Sequence, residues 1–328
     1  MMKRTAFVAI LLALVASVAF NWTAPRANAQ SGTELLQLLP DGGGVAVIDV
    51  QKVTTSNLWA AFSSQQKVKE ALDKAHSEIS DLGVRLSDIR TVAVVFPSVG
   101  SKDITGAISG TFNQEDLLGR LRTNQKVKLT SEKYKSFDIY NVVGVNTAPA
   151  KPGVQTNSDG ATFAFIDPST VVIGSVGGVR ASLDTRAGGR SVAQNAKLAS
   201  AIAENPAAAI RFALDVPPGM TKSLQGSGLP LPDFSSINMI FGAVDVTAGV
   251  DLVATLRNDT AEHAKAIADQ LNGLLGMAKG FLGASQDPKM SMLAGMLDTL
   301  KVEGNGIDVR ITGNVSQEAL NQVLSQIK

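Results

Sequence analysis

The chain contains no cysteine, two histidines and two tryptophans among its 328 residues, and aromatic residues make up only 5% of it. Without cysteine there is no disulfide, no thiolate nucleophile and no cysteine-ligated zinc or iron–sulfur centre. The two histidines, His76 and His263, fall on polar faces of expected helices with no cysteine to join them, which argues against a zinc or haem site. No Gly-x-Ser-x-Gly elbow, no His-Glu-x-x-His and no Asp-x-Asp-x-Asp-Gly loop occurs, so the residues imply no cofactor, no metal and no recognisable catalytic motif. An excess of either charge is also missing. Thirty basic residues stand against 29 acidic ones, and removal of Lys3, Arg4 and Arg26 with the first 29 residues leaves 27 against 29. A near-neutral chain gives no electrostatic reason to expect nucleic acid or an anionic membrane surface as partner.

Long apolar runs are lacking beyond residue 20. The longest, Ala6 to Phe20, follows Lys3 and Arg4 and precedes Ala27-Asn28-Ala29. A positive start, a run too short to span a bilayer comfortably and an A-x-A site form an export signal at residues 1–29, cleaved after Ala29. The expected mature chain begins at Gln30, is periplasmic or extracellular, and carries no later transmembrane span. With 45% hydrophobic and 18% charged residues, it is large enough to bury a core without covalent staples.

What is present is a repeated grammar. Ile89–Phe96 and Ile104–Phe112 read as two strands, followed by Asn113-Gln-Glu-Asp116, which can cap a helix carrying Leu117, Leu118 and Leu121. Ile237–Val244 and Val250–Leu256 repeat the pair, and Asp259 with Glu262 is the expected cap of a helix carrying Ala264, Ile267, Ala268, Leu271, Leu274 and Leu275. Each copy follows a strand ending in Asp-Val, Val45–Val50 or Ile210–Val216. Each also precedes a hairpin, Val127–Thr130 with Phe137–Val143 or Leu300–Glu303 with Ile307–Ile311. The expected fold class is α+β, with two similar halves, residues 30–190 and 191–328. Each half reads as a β-α-β-β-α-β-β unit with helices packed on one face of an antiparallel sheet. Ser56 should open a long amphipathic helix to Leu82 with Trp59 beside its apolar stripe, read as packing before a ligand platform, and Gln194–Glu204 a second one with Leu198 and Ile202 inward.

Several motifs read more simply as structure than as chemistry. Ser64-Gln-Gln-Lys67 matches Ser-x-x-Lys of serine acyl-transfer enzymes but lacks their companion motifs. Asp41-Gly-Gly-Gly44 precedes a strand, where phosphate loops follow one. Gly174 to Leu183 is a strand, turn and helix with Arg180 nearby, without the spacing of a nucleotide fingerprint. Asp49 and Asp215, matching acids at matching strand ends, could share a proton only if symmetry brought them together, and a structural role is the simpler reading.

Two stretches draw attention as a binding surface. Pro217 to Ser235 is long and irregular yet holds Met220, Leu229, Leu231 and Phe234, which would not be left in water. Gly273 to Leu300 holds Met277, Phe281, Met290 and Met296, and methionine fills irregular cores and also lines adaptable surfaces. The first stretch is expected to cover the second as a flap, either opening for an apolar ligand or protein segment or simply sealing the core.

The export signal, Leu38-Leu39-Pro40-Asp41, the strand ending in Asp49 and Val172-Ile-Gly-Ser175 followed by a helix resemble exported bacterial proteins built of duplicated α+β halves. That resemblance implies fold and localisation, with no activity to transfer. The function expected is a non-enzymatic binding or interaction protein of the cell envelope. A structural or assembly-assisting envelope protein is the alternative, and a hydrolase with a dispersed acid or serine site comes third.

Overall fold

The computed structural model describes residues 32–65, 69–70, 84–98, 103–144, 160–218, 233–285 and 288–326. The fold is α+β. Among the described residues twelve strands form one sheet in the order β11-β12-β10-β9-β8-β1-β2-β3-β7-β6-β5-β4, and every pairing is antiparallel. In chain order the strands are β1 (Gly44–Asp49), β2 (Ile89–Phe96), β3 (Thr105–Gly110), β4 (Val127–Tyr134), β5 (Phe137–Gly144) and β6 (Ala161–Asp167). They continue as β7 (Thr170–Gly174), β8 (Ile210–Asp215), β9 (Ile237–Asp245), β10 (Gly249–Asn258), β11 (Lys301–Asn305) and β12 (Asp308–Ser316). The helices are α1 (Val50–Thr54), α2 (Asn57–Ser63), α3 (Gln114–Thr123), α4 (Val176–Arg186), α5 (Ala196–Ala203), α6 (Ala261–Gly283), α7 (Pro288–Asp298) and α8 (Gln317–Gln326).

The two halves meet at β1 and β8, which pair Val45 with Ala213 and Val47 with Arg211. They share one sheet instead of closing two. Outward from that seam the order is β1-β2-β3-β7-β6 on one side and β8-β9-β10-β12-β11 on the other, with β5 and β4 added beyond β6. The counterpart of the β11–β12 hairpin is therefore β6–β7. The sequence pairing of Val127–Val143 with Leu300–Ile311 is corrected, because both hairpins share local pattern and only their long-range neighbours distinguish them.

Side chains of the central strands are buried on both faces. In β2 Val92, Ala93, Val94 and Val95 are each no more than 6% exposed, so alternation gives way to a continuous apolar run. The expected helix layer covers the face of Ile48, Val92 and Val94 with α1, α2, α3 and, in the second half, α6. A second layer covers the opposite face over the first half and across the β1–β8 seam: α4 supplies Val179 and Leu183, α5 supplies Leu198, Ala201 and Ile202, and the turn Thr33–Leu38 supplies Leu35 and Leu36. These pack on Val45, Val47, Ala93, Val95, Ala107 and Phe241.

Caps fix where the helices begin. Asn113 accepts from the Asp116 amide, Ser56 from that of Trp59, Ser175 from that of Gly178 and Asn195 from that of Leu198. The helix expected from Ser56 runs as α2 to Ser63; residues 66–68 and 71–83 lie outside the described residues. Trp59 is buried, as packing requires.

Candidate functional site

At the base of α6, Thr260 is the cap, accepting from the His263 amide. This corrects the expectation for Asp259, which sits one residue too early and bonds the His263 imidazole at 2.7 Å instead. That hydrogen bond raises the His263 pKa above its ordinary value near 6.5, and the same bond holds Asp259 below the usual carboxylate range.

The first turns of α6 are anchored by Ala264, Ile267 and Ala268 against Val216, Ile237 and Val309. Beyond Ala268 no residue of this 23-residue helix is buried. At 1.5 Å per residue the remainder extends roughly 20 Å past its anchor. There α6 packs on α7, and Lys279 pairs with Asp298 across the two at 3.2 Å. Gly273, Gly276, Gly280 and Gly283 have no neighbouring atom within 4 Å of where a Cβ would stand. This stretch presents Met277 at 64% exposure and Phe281 at 78%, one turn apart on the same side, with Met290 of α7 also exposed. Met277 and Phe281 are the two most exposed large apolar side chains among the described residues.

The remaining residues of the expected surface divide. Met296 is half-buried on α7. Phe234 is half-buried against the core beneath α6, which is sealing and not display. Met220, Leu229 and Leu231 lie outside the described residues, so the structure places neither them nor the flap.

Two clefts lie elsewhere. One of about 540 Å³ is lined by Arg85, Asp88, Asn113, Asp116 and Arg120 among others, and its charges pair with each other, Arg85 with Asp88 at 3.1 Å and Arg120 with Asp116 at 3.0 Å. The other, about 380 Å³, lies between α6 and the β11–β12 turn. Neither is lined by Met277, Phe281 or Met290.

The motifs weighed in the sequence find structural employment. Asp49 caps α1 through the Lys52 amide, while Asp215 pairs with Lys197. They stand at opposite ends of the antiparallel β1–β8 seam, Asp215 next to Gly43 and Asp49 next to Ala209, and cannot share a proton. Ser64 donates to the Ala61 carbonyl at the end of α2, and Lys67 is outside the described residues. Arg180 bonds Glu132 at 2.8 Å and lies over the Tyr134 ring, beside Asp184, which accepts from Tyr134 and Lys135. The Lys135 and Tyr134 hydrogen bonds hold Asp184 below its ordinary pKa. Among the described residues, no three of His, Asp or Glu gather as metal ligands and no helix is long and apolar enough to cross a membrane.

No family model and no curated protein matches this chain. Solved structures of TP0453, a bacterial protein, are similar in fold. Crystal form III is 11% identical, covers 89% of this chain and 98% of its own, and superposes with a TM-score of 0.49. Crystal form I is 13% identical, covers 93% and 98%, and gives 0.45.

Proposed function

We propose that this chain is an exported, non-enzymatic interaction protein of the cell envelope, which uses the outer part of the α6–α7 hairpin to take an apolar partner. One observation carries the reading: Phe281, at 78% exposure, and Met277 stand on a helix that leaves its own core. Leaving a large apolar side chain in water forgoes on the order of 1.5–3 kcal/mol of burial, and a Phe and a Met together are more than scattered surface chance. Among the described residues this surface is open and not a closed cavity, which suits an apolar protein segment better than a small enclosed ligand. Methionine and a helix with open glycine positions suit a partner of irregular shape.

The test uses a naphthalene-sulfonate dye whose emission rises on apolar surfaces. The folded chain should bind it, and Phe281→Ser with Met277→Ser should remove most of the signal while leaving the melting temperature within about 2 °C, as expected for exposed positions. Unchanged dye binding in the double variant would rule this surface out.

A further inference from the structure

Among the described residues the sheet has two unpaired edges, and they differ. β11 has five residues, includes Gly304, and packs against α6. β4 has eight residues, pairs with β5 in an unbroken register from Val127↔Gly144 to Tyr134↔Phe137, and contains neither proline nor bulge. A long, unbulged edge is a template for another strand.

The tight turn at Lys135 and Ser136, with Lys135 at φ 53, makes Tyr134 and Phe137 the closing pair of a two-residue hairpin. In such a hairpin the closing pair exchanges backbone hydrogen bonds, and alternation along the strand then turns the amides and carbonyls of Lys128, Thr130 and Glu132 toward β5. Those of Val127, Leu129, Ser131 and Lys133 face outward. Lys128 has no ion-pair partner among the described residues, and its side chain stands on the same face as Thr130 and Glu132.

We propose that two copies of this chain pair edge to edge through β4, antiparallel, about a two-fold axis at Thr130. This register sets Leu129 opposite the second copy's Ser131, where outward backbone groups meet, and Lys128 opposite the second copy's Glu132, where side chains approach most closely. Symmetry repeats each contact, giving two Lys–Glu pairs and no like-charge pair. A shift of two residues would instead set Leu129 against Lys133 and Thr130 against Glu132, losing both ion pairs. A shift the other way would set Glu132 against Lys126, which lies before the strand, so charge complementarity together with the extent of β4 selects the register. The interface is one strand wide and belongs to the small class, so a weak, concentration-dependent dimer is expected. It is independent of the α6–α7 surface.

Sedimentation velocity over roughly 1–100 μM, the range a small interface populates, tests it. The wild-type chain should shift from monomer toward twice the mass. Lys128→Glu should weaken self-association roughly tenfold or more by opposing like charges. Glu132→Lys should do the same but also removes the bond to Arg180 within the chain, so its fold is checked by circular dichroism, and an equal mixture of the two should associate again. Ser131→Pro removes one outward amide without touching the β5 ladder and should leave a folded monomer by circular dichroism. A wild-type chain that stays monomeric throughout overturns the proposal, as does a dimer that survives Ser131→Pro or both charge reversals.

Discussion

Gly242 shows how one missing methyl group holds the sheet together. A Cβ there would stand 2.2 Å from the Val253 carbonyl oxygen and 3.0 Å from the Phe212 ring, and backbone cannot yield as a side chain tip can. Gly242→Ala should destabilise the chain by about 1–3 kcal/mol in urea unfolding, the usual cost of forced overpacking. His263 gives a second residue-scale expectation. Its pKa is raised by the Asp259 hydrogen bond, so its contribution is full below the ordinary histidine value and fades as pH rises through the raised one. The depressed Asp259 contributes above the ordinary carboxylate value and is lost as pH falls through its lowered one. Asp259→Asn should bring the His263 titration, followed by proton NMR, back toward 6.5, and an unmoved midpoint would contradict the pairing. Residue detail was unevenly legible. Asn113 was readable as a cap because its side chain and the Asp116 amide are fixed by sequence spacing, whereas Asp259 and Thr260 are adjacent and only backbone conformation decides between them. Arg211, 4% exposed in β8, had no signal at all; desolvation lowers its pKa and the charge of Asp49 works against that.

Among the elements, α5 and the outer part of α6 make opposite predictions. Leu198 is fully buried between α5 and the sheet, so Leu198→Ala should cost about 2–5 kcal/mol, measured by denaturant unfolding. Phe281→Ser should change stability by less than about 0.5 kcal/mol, since its side chain is 78% exposed. The hairpins were legible because short apolar alternations bounded by turn residues have few other readings. The length of α6 was not. Glycine costs about 1 kcal/mol per position relative to alanine, so Gly273, Gly276, Gly280 and Gly283 gave no sign that the helix continues to Gly283, where it packs against α7. α8 was missed, although Ser316, whose hydroxyl accepts from the Ala319 amide, and buried Leu320 are visible afterwards as a start and an inward position.

At the scale of the whole molecule, the antiparallel α+β class was readable from two runs of matched strands, while the seam between β1 and β8 depended on pairing across more than 160 residues, which no local pattern encodes. Of the expected binding surface, Met277, Phe281 and Met290 are exposed, Met296 is half-buried, Phe234 belongs to the core, and Met220, Leu229 and Leu231 lie outside the described residues. Export is proposed from the first 29 residues alone, and the intact mass of the secreted chain should match a start at Gln30; a mass retaining Lys3 and Arg4 would contradict it. The display of an apolar surface by α6 has a direct measurement, made simple by the absence of cysteine. Phe281→Cys, labelled with a polarity-sensitive fluorophore, should emit as in water in the free chain and shift to the blue when dodecyl maltoside micelles are added. The same label at exposed Glu115 on α3 should stay water-like in both. A label at 281 that is already blue in the free chain, or that ignores the micelles, would contradict the account.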